Sequence, residues 1–290
     1  MIIDKKPSSS KGARGVSAAF FDVDRTLMRG SALLALAPSM YKDGLISRRT
    51  VVRALRRQLL FRRHGMDDAG LEAAASEIAA LVKGMNAGAL QQLAGQRVRS
   101  HLLPRVFPQA RQLMDWHREA GHRIYLVSAA PQELILPLAA ALGADGAAAT
   151  RAEIRDGLYT GRVLFFCHAG NKKKAIEAIA ARDGIDLGAS QAYGDSHSDL
   201  AMLEAVGRPI CINPDKRLLA EAGKRGWMAL QFTSPGTHTI IRNLASVRKL
   251  GARSPRQRQT VGGSPIDLPG GNAGGGSPRM AGDTEGLSGL

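Results

Sequence analysis

Cysteine is scarce: two residues in a chain of 290 exclude a disulfide scaffold and any cysteine-rich zinc or iron–sulfur site. The scarcity fits a reducing compartment, and the expected location is the cytoplasm. No stretch approaches twenty uncharged apolar residues, so no membrane-spanning helix is expected. The N-terminal run from Met1 to Lys11 lacks the apolar centre of a signal peptide. There is no internal repeat. None of His64, His101, His117, His122 and His168 has an i, i+4 histidine partner or an HExxH context, which argues against zinc.

Acidic residues are the second shortage. Asp and Glu number 25 against 40 Lys and Arg, for a net charge of +15. The excess is concentrated: residues 1–65 hold fourteen Lys and Arg but only four Asp, a net of +10. Arg48, Arg49, Arg53, Arg56, Arg57, Arg62 and Arg63 supply half of those cations. Such a face is either a solvated helix surface or a contact for an anionic substrate or membrane. No aromatic residues are interleaved in the basic stretch Arg248–Arg258, so a specific nucleic-acid partner is not expected.

What remains is an ordinary globular composition, 44% hydrophobic and 22% charged. Residues 1–16 read as a flexible lead-in. Residues 251–290, rich in Gly, Ser and Pro, cannot bury enough apolar surface to offset the entropy of ordering and read as a disordered tail. Between them, Ser17–Asp24 is a short apolar run ending in carboxylates, as expected of a fully buried strand. A long region, about 31–120, carries helical periodicity, with Leu45, Val52, Leu55 and Leu59 on one face. Strand and helix then alternate: strands at Arg123–Ser128, Ser190–Tyr193, Arg208–Ile212 and Trp227–Leu230, and helices from Pro131, Lys172, Ser198 and Asp215. A hairpin from Thr150 to Phe166 turns at Asp156-Gly157. The fold class is α/β: a Rossmann-like parallel sheet core, 17–30 and 105–250, with an all-helical cap at 31–104 inserted after the first strand.

Three strand ends present polar groups to one crevice: Asp22 and Asp24, then Ser128, then Asp195 with Asp199 a helical turn beyond. Four converging carboxylates repel one another unless a cation neutralises them. An all-oxygen set without His or Cys suits Mg²⁺. A carboxylate beside Mg²⁺ can attack phosphorus, and a second one two residues on can protonate the leaving alcohol and then activate water.

These residues resemble the motifs of the haloacid dehalogenase superfamily. Asp22-Val23-Asp24-Arg25-Thr26 is similar to its first motif, DxDxT, and Val127-Ser128-Ala129 to its second. Gly170-Asn171-Lys172-Lys173 is similar to its third, and Gly194-Asp195-Ser196-His197-Ser198-Asp199 to its fourth, GDxxxD. The helical insert resembles the C1 cap of subfamily IB, the branch of the phosphoserine phosphatases. The resemblance spans about 17–230 and gains its weight from four motifs in order, each beside an expected strand.

It implies that Asp22 is the nucleophile that becomes aspartyl-phosphate and also a metal ligand. It makes Asp24 the general acid/base, ligating through its backbone. Thr26 would support the loop on the substrate side. Ser128, helped by the Ala129 N–H, would hold the phosphoryl group. Lys173, chosen over Lys172 and Lys174 on G-x-x-K spacing, would neutralise phosphate. Asp195 and Asp199 would complete the metal site. The expected activity is Mg²⁺-dependent hydrolysis of a phosphate monoester.

Phosphoserine enzymes of the family carry a Glu shortly after the first motif, where this chain has Ser31. Phosphoserine phosphatase proper is therefore a second choice behind a small or lipid-linked anionic phosphomonoester, with peripheral contact to an anionic membrane through the cap arginines. A catalytically idle regulator that binds anionic surfaces is the remaining alternative.

Overall fold

The structure, a computed structural model, describes residues 15–42, 44, 68–232 and 238–241. The cap arginines 48–63, the apolar positions Leu45, Val52, Leu55 and Leu59, and the tail 251–290 lie outside these residues.

Eight strands form one sheet in the order β4-β3-β2-β1-β5-β6-β7-β8. They are β1 (Ala18–Asp22), β2 (Arg123–Pro131), β3 (Gly146–Arg155), β4 (Leu158–Phe165), β5 (Gln191–Gly194), β6 (Arg208–Ile212), β7 (Met228–Phe232) and β8 (His238–Ile241). Neighbours from β3 to β7 run parallel, and β4 and β8 close the two edges antiparallel. The α/β architecture matches the sequence expectation. β8 is an addition, in a stretch where the sequence shows no clear alternation.

β1 lies at the centre, and every one of its residues is buried. Its alternation divides the core: Ala19 and Phe21 face one helical layer, Ala18 and Phe20 the other. Phe21 stacks on Tyr193 of β5 with ring centroids 4.4 Å apart. Burying one such aromatic side chain contributes about 1.5–3 kcal/mol, which explains a strand without a polar residue before its end. The chain steps from β1 to β2 on one side and later to β5 on the other, so the order reverses at β1. A crevice opens at the strand ends there, where folds of this kind bind ligands.

Helices α1 (Ala32–Lys42), α2 (Asp68–Leu81) and α3 (Ala87–Arg97) lie between β1 and α4 (Pro108–Glu119). The Asn86 side chain caps α3 by accepting the Ala89 N–H at 3.0 Å. The outgoing and returning chains run side by side: Arg29 N–H donates to Arg105 O at 2.9 Å, and Phe107 N–H to Leu27 O at 3.0 Å. The hairpin β3–β4 is bonded to this helical insert. Gly84 N–H donates to Tyr159 O, Tyr159 N–H to Met85 O and Ala87 N–H to Gly157 O, at 2.8, 3.0 and 2.8 Å.

The expected lead-in 1–16 ends differently. Val16 joins the fold, donating to Gly184 O and accepting from Asp186 N–H, both at 3.1 Å. Residues 1–14 lie outside the described set. The remaining helices are α5 (Gln132–Ala141), α6 (Gly170–Asp183), α7 (Leu200–Glu204) and α8 (Lys216–Arg225). The helix expected from Ser198 opens instead as a 3-10 turn, His197–Asp199, before α7. Among the described residues no helix is long and apolar enough to cross a membrane.

Candidate active site

Asp22 is the last residue of β1, delivered to the crevice by the buried run behind it. After Val23 the chain turns tightly, with Leu27 and Met28 N–H groups both donating to Val23 O. That turn brings Asp24 back beneath the first helix of the insert, where its Oδ1 accepts the Ala32 N–H at 2.9 Å. Asp195 directly follows β5. Gly194 before it has a spatial reason: a Cβ there would lie 2.6 Å from the Asp199 Cβ.

Carboxylate oxygens of Asp22, Asp195 and Asp199 lie within 4.8 Å of one another, and all three residues are buried. Lys172 Nζ donates to Asp22 Oδ1 and to Asp199 Oδ1, each at 2.6 Å. This corrects the choice of Lys173. The lysine that reaches the carboxylates is Lys172, whose side chain is 3% exposed. Lys173, one position further round α6, is exposed and sits 3.8 Å from Glu177. Lys174 is exposed too. The α6 start at Gly170 sets a helix phase that points its third residue inward, and spacing alone cannot choose among three consecutive lysines.

The carboxylates differ in how their oxygens are occupied. Asp199 is filled: Lys172 takes Oδ1, while Oδ2 accepts the Asp195 N–H at 3.0 Å, the Ser196 N–H at 3.1 Å and the Ser196 hydroxyl at 3.2 Å. Burial works against its charge, yet Lys172 and the two backbone N–H groups hold its carboxyl below the ordinary range. Asp22 is half filled. Its Oδ2 is buried and makes no hydrogen bond among the described residues. Burial pushes Asp22 up to about 7 against the pull of Lys172, with Asp199 adding to the rise. Burial likewise raises Asp195 well above its usual value, with Asp22 and Asp199 adding to it and Arg25 opposing. For Asp24 burial again raises the carboxyl, opposed by the Ala32 N–H and the Ser31 hydroxyl.

Ser128 is buried on β2, where the register to β3 breaks between Ser128 and Pro131. Its Oγ accepts the Ala130 N–H at 3.1 Å, and the Ala129 carbonyl accepts the Thr150 hydroxyl at 2.7 Å. Thr26 is buried at 1% exposure and its hydroxyl makes no hydrogen bond among the described residues. Cys167 and Cys211 are fully buried, and burial pushes their thiols up to about 11 and 12, so neither is a ready nucleophile.

Two participants escape the sequence reading. Arg25 reaches the acidic cluster, with Nη2 2.5 Å from Asp195 Oδ2. Asn213, after β6, donates to the Arg25 carbonyl at 2.9 Å. Arg25 is visible inside the first motif as a cation between carboxylates. Asn213 carries no local signal.

The residues fit a hard divalent cation. The donors are all oxygen, and those of Asp22, Asp195 and Asp199 converge within 4.8 Å, the hard ligand set such an ion takes.

A family model described as haloacid dehalogenase-like hydrolase matches residues 19–204. The chain belongs to this family. A Mycobacterium tuberculosis protein named as a probable phosphatase is 36% identical over 222 residues, covering 77% of each chain. A protein of the same species named phosphoserine phosphatase is 34% identical over 218 residues, 74% of this chain and 71% of its own length. The fold is shared with a phosphoserine phosphatase solved as an analogue of its phospho-aspartyl intermediate. That structure has a TM-score of 0.55 and 18% identity, and the match covers 82% of this chain and 99% of the solved one. This haloacid dehalogenase-like hydrolase thus combines the family's fold with relatives named as phosphatases.

Proposed function

We propose that this hydrolase cleaves small phosphate monoesters, of the phosphoserine type among them, by way of a phosphoryl group carried on Asp22. The observation that carries the reading is the buried, unspent Oδ2 of Asp22 at the end of β1, beside a second oxygen already anchored by Lys172. Lys172 fixes the carboxylate's orientation and leaves one oxygen to attack.

In the first half-reaction Asp22 Oδ2 bonds to phosphorus, the ester P–O bond breaks, and the leaving oxygen takes a proton from Asp24. In the second, water attacks phosphorus, Asp24 takes the water's proton, and inorganic phosphate leaves Asp22 as a free carboxylate. The burial that raises Asp24 favours the protonated acid needed first. Ser128 and the first turn of α6 face the phosphoryl oxygens in this reading. Asp22 and Asp195 would hold Mg²⁺, with Asp199 aligning them, and the ion would offset the negative charge of an arriving phosphate. Ser31 stands where phosphoserine enzymes have an acid, and it is turned to Asp24.

A small-molecule ester is favoured over a lipid one. The lipid and membrane readings rest on the arginines between 48 and 63, which lie outside the described residues, while the relatives' names point to phosphomonoesters. An idle regulator would have no use for the buried, mutually repelling carboxylates.

The test is phosphate release with Mg²⁺ from phosphoserine, histidinol phosphate, sugar phosphates, nucleotides and lysophosphatidate, comparing the wild type with Asp22→Asn. Release by the wild type and loss in the variant are expected. Undiminished release by Asp22→Asn would defeat the proposal.

A further inference from the structure

Arg25 occupies a position where a side chain gains nothing from its backbone. Its φ of 65° lies in the left-handed region, which glycine takes without steric cost. The backbone is held there by others. Arg25 N–H donates to Gly30 O at 3.1 Å, and its carbonyl accepts the Asn213 side chain at 2.9 Å. Asn213 is fixed in turn, its Oδ1 accepting Phe232 N–H at 2.8 Å and Gln231 Nε2 at 2.9 Å. The place of residue 25 is thus set by β7 and the first turn after β1. What the arginine adds is its head group.

That head group lies against Asp195, inside the set of carboxylates described above. The two cations of the site differ in how they can leave it. Lys172 is 3% exposed and bonded to two buried carboxylates, so its departure would strand both charges. The Arg25 side chain is 38% exposed, so its charge can move into solvent. A positive charge this close to Asp195 opposes the arrival of a second one.

Resting on the reading of this site as a Mg²⁺ centre, we propose that Arg25 is a resident counter-ion of Asp195 that Mg²⁺ displaces toward solvent. Without metal, the guanidinium spares Asp195 the cost of an unpaired buried charge. With metal, it withdraws along its own side chain while Asn213 keeps its backbone in place. Binding of Mg²⁺ and the Arg25–Asp195 contact are then linked, and each weakens the other by the same factor. Loading of the site accordingly tracks free Mg²⁺.

The experiment is calorimetric titration of MgCl₂ into the chelator-treated full chain, together with melting curves with and without Mg²⁺. It compares the wild type with two uncharged variants, Arg25→Gln and Arg25→Met, so that misfolding of one leaves the other. Both are expected to bind Mg²⁺ about tenfold more tightly, the effect of removing one adjacent, partly screened charge. Both should melt earlier without metal and gain more from its addition. Equal or weaker Mg²⁺ binding by the folded neutral variants overturns the exchange and leaves the metal centre standing. Absence of Mg²⁺ binding in the wild type and both variants overturns the metal reading and the exchange with it.

Discussion

The carboxylate of Asp24 accepts the backbone N–H of Ala32 at 2.9 Å, so the second acid after β1 is held by the first residue of the first inserted helix. A group proposed to give and take protons is therefore positioned by the element that leads into the insert. Asp24→Asn keeps an acceptor for that N–H but cannot protonate a leaving group. Single-turnover rates for an alkyl phosphate should fall about 10²–10⁴-fold, the usual worth of general acid catalysis. An aryl phosphate, whose leaving group needs little help, should lose far less. Equal losses on both esters would remove Asp24 from that role.

The neighbouring Lys172 and Lys173 separate cleanly by substitution. Lys172→Met leaves Asp22 and Asp199 buried without their cation, a loss of about 3–5 kcal/mol in stability together with activity. Lys173→Met removes only an exposed contact to Glu177, and both stability and turnover should stay near wild type, within about 0.5 kcal/mol. Urea denaturation and phosphate release on the two variants check this. A damaged Lys173→Met with an intact Lys172→Met would reverse the assignment.

A histidine pair beneath the sheet predicts an acid limit to stability. Tyr193 OH donates to Gln191 Oε1 at 2.9 Å, so it accepts from His117 Nε2 at 2.7 Å. His117 Nδ1 is then left to accept from His122 Nδ1, 2.8 Å away, and His117 must stay neutral. Burial, reinforced by His122, lowers His117 from 6.5 to about 3. The unfolded chain takes up this proton as pH drops below 6.5 and the folded chain does not. This contribution is thus complete above pH 6.5 and is lost toward pH 3, at about 1.4 kcal/mol per pH unit. His117→Phe should flatten that part of the stability profile, measured by urea denaturation from pH 7 to 4. An unchanged slope would show that His117 titrates normally.

Gly194→Ala puts a methyl group 2.6 Å from the Asp199 Cβ. Asp199 must move, dislodging its bonds to Lys172 and to the N–H groups of Asp195 and Ser196. Overpacking of this kind costs about 1–3 kcal/mol, and here it should also weaken Mg²⁺ binding. Gly207→Ala, which collides with the Gly188 carbonyl at a site away from the carboxylates, should cost stability while leaving the metal affinity of the folded protein unchanged. Matching metal affinities in the two variants would uncouple Gly194 from the site.

Much of the fold was legible because local and global signals agree. β1 reads as a buried strand from the run Ser17–Asp24 alone, and the hairpin from Asp156-Gly157, both of which adopt the positive φ that a tight turn requires. The carboxylates were legible as types at strand ends. The choice of Lys172 was not, since it depends on how α6 seats against β1, nor was β8, whose pairing with β7 comes from tertiary context. Arg25 was visible in the first motif, but its meeting with Asp195 joins β1 to β5 across 170 residues. No local periodicity encodes such a contact.

The bonds from Gly84, Met85 and Ala87 to the hairpin have a consequence apart from catalysis. β4 is the outermost strand on its side, and an unpaired strand edge invites a second chain to add to it. At Gly157 and Tyr159 that edge is already taken by the inserted segment. The helical insert therefore also works as a guard rail for the sheet, keeping part of its rim from becoming a template for aggregation.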